Sequence, residues 1–297
     1  QGVSSAASDV YKRQVFENIA KIYEKEGSDC WFSDDPQKFL GSKYKAEDFE
    51  KLSDIVEVWF DSGSTHSFVL EKRKDLKWPA SMYLEGSDQH RGWFHSSLLE
   101  SCGTRGKAPF ESILSHGFVV DGKGLKMSKS LGNVIAPEDI LKKYGADILR
   151  IWVAASNYAE DLRIDYSILD QHSESYRKIR NTFRYLLGNI NDKYEDIDLD
   201  KVDIENLPEL EKFMLSKLHS LNNKFEKYFK KYDFHNLYKE LLNFCTTDLS
   251  AFYFDIRKDT LYCDPINSEK RKSCVTILNV LLKSCLLYTS DAADDTP

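Results

Sequence analysis

Short apolar runs separated by polar breaks dominate the first half of the chain and predict strands that alternate with helices. Residues 16–25 have helical spacing, and Gly27 breaks that pattern. Residues 54–60 (DIVEVWF) alternate and include β-branched side chains, so we expect a strand there. That strand would end at the turn of residues 61–63 (DSG).

A second strand is expected at residues 81–84, where Met, Tyr and Leu form a short apolar run. The strand would stop at residues 85–87 (EGS). Asp88 follows, and aspartate is a favoured helix N-cap, so we expect a helix that begins there and continues through Leu99.

A third strand is expected over residues 112–120, with an interruption at residues 116–117. It leads into residues 121–124 (DGKG), where two glycines predict a flexible turn. Strands that alternate with helices favour an α/β fold with a parallel sheet. In such a sheet, ligands bind beyond the carboxyl ends of the strands.

The apolar spacing changes after Pro137, where the strand pattern disappears. Pro137 is followed by Glu138 and Asp139, a composition that suits the first turn of a helix. Apolar side chains then recur at helical spacing as far as Phe244, so we expect an all-helical bundle. The acidic stretch of residues 191–207 is the expected loop within it.

The composition is that of a globular chain of about two domains. Its 297 residues are 41% hydrophobic and 13% aromatic, enough to bury a sizeable core. No run approaches the roughly 18 apolar residues that span a bilayer, and no signal-peptide pattern opens the chain. We therefore expect a cytoplasmic protein with no membrane partner. Its net charge of −7 means that any nucleic acid would have to meet a local basic surface.

The cysteines lie far apart and form no C-x-x-C pair. This spacing argues against a zinc site and against a disulfide framework, so we expect isolated, mostly buried thiols and no metal site. The six residues are Cys30, Cys102, Cys245, Cys263, Cys274 and Cys285.

Both ends of the chain look foreign to the rest. Residues 4–14 read as a translated transposon sequencing adapter, and residues 285–295 resemble a translation of its reverse complement. We expect residues 1–14 and 285–297 to be non-native and the chain to be an internal piece of a longer protein. Natural disordered tails are the alternative.

Two lysines lie three residues apart in a loop flanked by Gly124 and Gly132. The ammonium groups of Lys126 and Lys129 could reach phosphate oxygens as point charges, and Ser128 adds a hydroxyl donor. A solvated surface turn is the alternative for a loop of this composition.

Three segments resemble those of isoleucyl-tRNA synthetases, a family of class I aminoacyl-tRNA synthetases. They are residues 59–64 (WFDSGS), residues 84–94 (LEGSDQHRGWF) and residues 117–133, which contain KMSKSLGN. The last marks class I enzymes in general, and the first two point to isoleucine. The resemblance covers nearly all of residues 15–284 and implies ligation of isoleucine to tRNA(Ile) with ATP and Mg²⁺, by a monomer.

The resemblance also implies roles for individual residues. Lys126, Ser128 and Lys129 would be catalytic, because activation of the amino acid places negative charge on the leaving pyrophosphate. Glu85 would contact the aminoacyl-adenylate. Asp88 would help to hold the substrate, with a helix cap as the alternative for this residue. The residues expected to bind ATP or the adenylate are Glu85, Gly86, Asp88, Gln89, His116, Gly117, Val119 and Lys129.

Two further groups of residues follow from the resemblance. Trp59 and Trp93 would be aromatic walls of the isoleucine pocket, with ordinary core tryptophans as the alternative. Arg177, Arg180 and Arg184 would offer a basic face to tRNA, with a solvated helix face as the alternative.

The implied fold is the second half of a Rossmann-like catalytic domain with a parallel sheet, followed by an all-α anticodon-binding bundle. Residues 15–55 would be the exit of the editing insertion, residues 56–155 the catalytic half and residues 156–284 the incomplete bundle. The family's other ATP motif, His-Ile-Gly-His, is absent, so we expect the chain to be inactive alone. A valine or leucine enzyme and a non-catalytic tRNA-binding derivative remain alternatives.

Overall fold

The structure, a computed structural model, describes residues 9–190 and 202–286, with side chains described for residues 13–190 and 202–284. The chain divides into two compact units. The first contains residues up to Ser81 together with His90–Glu111, and the second contains Met82–Gln89 together with residues from Ser112 onward.

The first unit is helical. Its side-chain core includes Cys30 and Phe39, near the start of the chain, and Phe94. The α-helices are α1 (Asp9–Glu26), α2 (Cys30–Ser33), α3 (Pro36–Leu40), α4 (Val58–Gly63) and α5 (Trp93–Arg105), and a π-helical turn covers His66–Leu70.

The prediction of a strand at residues 54–60 is wrong. Residues 51–57 are irregular, and α4 begins at Val58 because the Glu57 carboxylate caps it by accepting a hydrogen bond from the Trp59 N–H at 2.7 Å. The β-branched side chain of Ile55 is 81% exposed. Alternation alone makes no strand where no neighbouring strand pairs with the segment.

Residues 9–14 belong to α1, although they fall in the adapter-like segment that we excluded from the native fold. Residues 1–8 and 287–297 lie outside the described residues. The helix expected at residues 16–25 is confirmed, and it ends before Gly27, whose φ of +81° is left-handed.

The second unit begins with parallel strand pairs. The strands expected at residues 81–84 and 112–120 are confirmed with shifted bounds, and the second is split where the interruption was expected. The strands are β1 (Tyr83–Gly86), β2 (Ile113–His116), β3 (Val119–Asp121) and β4 (Leu162–Ile164); β1 pairs with β2 and β3 pairs with β4, both in parallel.

Asp88 is not the N-cap of a helix, contrary to expectation. It lies inside a 3-10 turn, Ser87–Arg91, and the following helix α5 begins only after Gly92. The Gly92 backbone, with φ −129° and ψ −117°, interrupts the helical path between the turn and α5. Asp88 is therefore free of a capping role and exposed.

The second half of the chain is helical with one exception. Strand β4 contradicts the expectation that strands end before Pro137. Leu162 and Ile164 are buried on either side of an exposed arginine, but three residues are too few for periodicity to reveal the strand.

The helices of this half are α6 (Pro137–Tyr144), α7 (Ala146–Ala155), α8 (Tyr166–Asn189), α9 (Glu209–Lys230), α10 (Phe234–Asn243), α11 (Asp255–Cys263) and α12 (Glu269–Leu281), with π-helical segments Phe244–Phe254 and Leu282–Leu286. The expected start at Pro137 is confirmed. Of the expected loop, residues 191–201 lie outside the described part, and residues 202–208 are non-helical.

Two apolar cores stabilise this unit. The smaller surrounds β4 and includes Ile140, Trp152 and Leu169, and the larger fills the bundle around Leu186, Met214 and Ile277. Within the described residues, no helix is both long enough and apolar enough to cross a membrane. Of the cysteines whose side chains are described, three are buried and two, Cys102 and Cys263, are exposed; all five are unbridged.

Candidate functional site

The carboxyl ends of β1 and β2 lie side by side. In the parallel register, Glu85 is opposite Ser115 and Gly86 is opposite His116. A side chain at Gly86 would place its Cβ 2.7 Å from Asp88 Oδ1 and 3.9 Å from His116 Cε1. Glycine thus lets the Asp88 carboxylate fold back over the strand ends, and the structure brings Gly86, Asp88 and His116 together.

Glu85 and Gln89 border the same strand end. The Glu85 side chain is exposed, and Gln89 Nε2 lies 3.4 Å from Asp88 Oδ2. Two carboxylates and an amide next to the carboxyl end of a parallel strand offer hydrogen-bond acceptors for hydroxyl or amino groups of a ligand.

The segment that follows β2 runs close to another part of the backbone. Gly117 N–H donates to the Tyr158 carbonyl at 2.9 Å. A Cβ at Gly117 would lie 2.2 Å from the Glu160 carbonyl oxygen, so no larger residue fits without a backbone shift. Phe118 N–H donates to Asp161 Oδ1 at 2.9 Å, which fixes the approach to β3. His116 is half-buried and Val119 is 40% exposed on either side of this contact.

The loop of residues 126–130, hereafter the lysine loop, leaves β3 through a tight turn. Residue Lys126 bridges back to Val120 in antiparallel fashion. The Ser128 hydroxyl accepts from the Leu131 N–H at 3.3 Å and caps the 3-10 turn Lys129–Leu131, which Gly132 ends with φ +64°. The expected flanking turns are therefore confirmed.

Met127 anchors the lysine loop, and the two lysines point outward. Met127 is half-buried and packs against the core around β4. Both Lys126 and Lys129 are exposed, and neither ammonium group has an ion pair or hydrogen bond within the described residues. Two unpaired positive charges on an anchored loop can bind the oxygens of a polyphosphate.

Sequence reasoning missed two residues at the base of this loop. Asn133 Nδ2 donates to Asp121 Oδ2 at 2.9 Å, and Asn133 Oδ1 accepts from the Ser128 N–H at 2.9 Å. The hydrogen bond from Asn133, followed by that from the Leu125 N–H, holds the pKa of Asp121 below its ordinary value. An aspartate before a glycine turn is a sequence signal for bonds to the N–H groups of that turn, but no short-range pattern signals the bond between Asp121 and Asn133, which lie 12 residues apart.

The two tryptophans lie in the first unit. The indole N–H of Trp93, at the start of α5, donates to the Ser62 carbonyl in α4 at 2.9 Å. Helix α4 also carries Trp59, which is 39% exposed. Neither ring is buried, unlike the side chain of an ordinary core tryptophan.

The arginines of α8 are exposed. Arg177, Arg180 and Arg184 share one face of the helix through their spacing of three and four residues. Arg177 pairs with the exposed Glu174 at 2.6 Å, as in a solvated helix face. In the described parts of the chain, no group of three or more His, Cys, Asp or Glu side chains is placed to hold a metal ion.

Comparison with known families identifies this arrangement. Residues 3–165, more than half of the chain, match the family "tRNA synthetases class I (I, L, M and V)". The chain belongs to the class I tRNA synthetases. In this class I synthetase chain, residues 211–289 match a second family, the "Anticodon-binding domain of tRNA ligase". The expected fold class, parallel catalytic strands followed by a helical anticodon-binding region, is confirmed.

Two relatives of this class I synthetase chain are isoleucine–tRNA ligases. The chain is 80% identical over 274 residues to isoleucine–tRNA ligase of Pelagibacter ubique, covering 92% of this chain and 30% of that protein. It is 50% identical over 282 residues to isoleucine–tRNA ligase of Zymomonas mobilis, covering 93% of this chain and 30% of that protein. The chain thus spans about 30% of the length of these relatives.

Solved structures share the class I fold at low identity. Methionyl-tRNA synthetase of Mycobacterium tuberculosis, in complex with methionyl-adenylate, superposes with a TM-score of 0.54 at 18% identity, over 75% of this chain and 46% of that one. A LeuRS–tRNA–LeuAMS ternary complex from Agrobacterium radiobacter gives 0.53 at 16% identity, over 70% of this chain and 26% of that one.

Proposed function

We propose that this chain is the part of an isoleucine–tRNA ligase that binds the ATP phosphates and the adenylate. The whole protein would activate isoleucine with ATP and transfer it to tRNA(Ile). The observation that carries the proposal is the lysine loop, whose two exposed ammonium groups are unpaired among the described residues and whose methionine is anchored in the core. The 80% identity to an isoleucine–tRNA ligase supports isoleucine as the amino acid.

Activation of an amino acid displaces pyrophosphate from ATP and creates negative charge on the leaving group. Lys126 and Lys129 would stabilise that charge, and the Ser128 hydroxyl, 3.1 Å from the Ser130 hydroxyl, would add a donor. Mg²⁺ would arrive with ATP, because this ion commonly binds substrate phosphates with few protein ligands.

The ends of β1 and β2 would hold the rest of the adenylate. Glu85 would contact the intermediate, and Asp88 and Gln89 would accept hydrogen bonds from the ribose and the amino acid. The backbone of His116, Gly117 and Val119 would lie near the adenine. The close packing of Gly86 against Asp88 supports this role, since it leaves the carboxylate at the strand end.

Trp59 and Trp93 would form the walls of the isoleucine pocket. The side chain of isoleucine offers nothing to hydrogen-bond, so an aromatic wall suits it. Such a pocket separates isoleucine from valine by only about 1–3 kcal/mol, because the two differ by one methylene group. The partial exposure of both rings supports a role in binding.

The proposal also assigns the remaining regions. Residues 15–55 would leave the editing insertion, residues 56–155 would form the catalytic half, and residues 156–284 would bind the anticodon arm. Exposed arginines on α8 would contact the tRNA backbone: Arg177, Arg180 and Arg184. The protein would act as a monomer in the cytoplasm.

A chimera tests the proposal. Residues 15–284 of this chain would replace the matching segment of the Pelagibacter ubique isoleucine–tRNA ligase, and ATP–pyrophosphate exchange would be measured with isoleucine, valine and leucine. We expect exchange that prefers isoleucine. Preference for valine or leucine would make the chain part of a sister enzyme. A folded chimera that binds tRNA without any exchange would indicate a non-catalytic derivative.

A further inference from the structure

We propose that Asp121 and Asn133 are positioning residues that hold the lysine loop in the conformation in which it meets the ATP phosphates. The two side chains, called the Asp–Asn clamp below, lie 12 residues apart, one on each side of the loop. This inference rests on the proposed function for its catalytic consequence, but the clamp itself is a property of the loop.

The Asp121 side of the clamp organises the turn that enters the loop. Its Oδ1 accepts hydrogen bonds from the N–H groups of Lys123 at 3.0 Å and Leu125 at 2.8 Å. Its backbone N–H donates to the Leu125 carbonyl at 2.9 Å, and its carbonyl accepts from Gly124 at 2.8 Å. Oδ1 is therefore committed to the turn, and Oδ2 is the oxygen that faces Asn133.

The Asn133 side of the clamp holds the loop itself. Its Oδ1 accepts from the Ser128 N–H at 2.9 Å, in the middle of the loop. Its Nδ2 donates to Asp121 Oδ2 at 2.9 Å and lies 3.3 Å from the Lys126 carbonyl. One amide thus contacts the backbone of the first and third loop residues and the carboxylate before the loop.

The clamp requires an acceptor at position 121 and a donor at position 133. Asp121 presents only acceptors when ionised, and Asn133 supplies both a donor for the carboxylate and an acceptor for Ser128. The side chain of Met127 packs against the core, and the Lys126–Val120 bridge and the Ser128 cap each hold one point of the loop backbone. The clamp ties these points to one another next to Lys126 and just before Lys129, so it contributes to where the two ammonium groups lie.

An exchange of the two residues provides a specific test. Asp121→Asn alone places a donor against the Asn133 amide. Asn133→Asp alone places two carboxylates against each other and a carboxylate against the Lys126 carbonyl. The double variant restores one donor–acceptor pair and keeps an acceptor for Ser128, but its carboxylate at position 133 still faces the Lys126 carbonyl.

In the chimera described above, we expect each single variant to raise the KM for pyrophosphate in the exchange reaction by about 10-fold, since a charge-assisted hydrogen bond is lost. The KM for isoleucine should stay within about two-fold. The double variant should recover most of the loss. Partial unfolding would lower the active fraction without changing either KM. A rise in the pyrophosphate KM alone therefore distinguishes a positioning effect from a loss of stability. Asp259→Asn, an exposed carboxylate on α11, is the matched control.

A second readout uses the full 297-residue chain and needs no catalysis. Tryptic cleavage after Lys126 and Lys129, quantified by mass spectrometry, should be faster in both single variants and return towards the wild-type rate in the double variant. If the chimera shows no exchange, the proposed function fails, and this cleavage comparison still decides the clamp.

Single variants with unchanged pyrophosphate KM and unchanged cleavage would overturn the inference. So would a folded double variant that is as impaired as the single variants combined. If the single variants do not fold, a folded and active double variant supports the clamp, and an unfolded one refutes it.

Discussion

Arg257 and Glu211 form a double hydrogen bond inside the helical bundle. The Nε and Nη2 atoms of Arg257 each donate to one carboxylate oxygen of Glu211 at 2.6 Å, and the Tyr253 hydroxyl donates to Oε1 at 3.1 Å. Glu211 is fully buried. Burial alone would lower the pKa of Arg257, but the hydrogen bonds to Glu211 outweigh it and the pKa is raised. The pair joins α9 to α11.

This pair makes the bundle sensitive to loss of one partner. We expect Arg257→Ala to lower the free energy of unfolding by about 3–5 kcal/mol, because Glu211 would remain buried without a counter-charge. Urea unfolding of the full chain, followed by circular dichroism, measures it. Lys258→Ala removes the neighbouring exposed pair with Asp255 and should cost at most about 1 kcal/mol. Equal losses in the two variants would contradict the role of burial.

Gly117 should tolerate no side chain. In Gly117→Ala, the new methyl group would meet the Glu160 carbonyl, so we expect a loss of about 1–3 kcal/mol in the free energy of unfolding and weaker adenylate binding. Gly103 in α5 has open space around the same position, and Gly103→Ala should be neutral or stabilising by up to about 1 kcal/mol. The midpoints of thermal unfolding of the two variants are compared. Similar midpoints would refute the close approach of the Gly117 backbone to the Glu160 carbonyl.

Lys129 should act on the transition state of activation. In the chimera, Lys129→Ala should lower the kcat of isoleucine-dependent exchange by at least about 10-fold, because the leaving pyrophosphate loses a positive partner. Lys142, an exposed lysine on α6, is the matched control, and Lys142→Ala should leave kcat within about two-fold. A kcat that does not respond to Lys129→Ala would remove this residue from its proposed role.

The cysteines should differ sharply in reactivity. Burial raises the pKa of the Cys245 and Cys274 thiols to about 11, whereas Cys102 and Cys263 are exposed. At pH 8 the buried pair holds little thiolate, so iodoacetamide should label it at least about 100-fold more slowly than the exposed pair. Peptide mass spectrometry follows the labelling, and in urea all four should react alike. Fast labelling of Cys274 in the folded chain would show that the bundle core opens.

Local patterns predicted much of this molecule. The interruption at residues 116–117, the helix that starts at Pro137 and the glycine turns around the lysine loop all appear where they were expected. The helix start and the glycine turns depend on interactions within a few residues, such as a fixed proline φ or a glycine with positive φ, so a short window of sequence contains their cause.

The two wrong strand predictions have a different cause. Residues 54–60 have a strand pattern but no strand partner, and β4 has a partner but too few residues to show a pattern. A strand is stabilised by its neighbour, and that neighbour is set by the path of the whole chain.

The candidate site also combines features set by neighbouring residues with features set by long-range packing. The chemistry of the lysine loop is local, since two ammonium groups three residues apart on a glycine-flanked turn are visible in the residues themselves. The Asp–Asn clamp spans 12 residues, and the contact of Gly117 with Glu160 spans 43, so only folding brings those partners together. Side-chain type determines which charges the site can offer, and long-range packing determines where those charges are held.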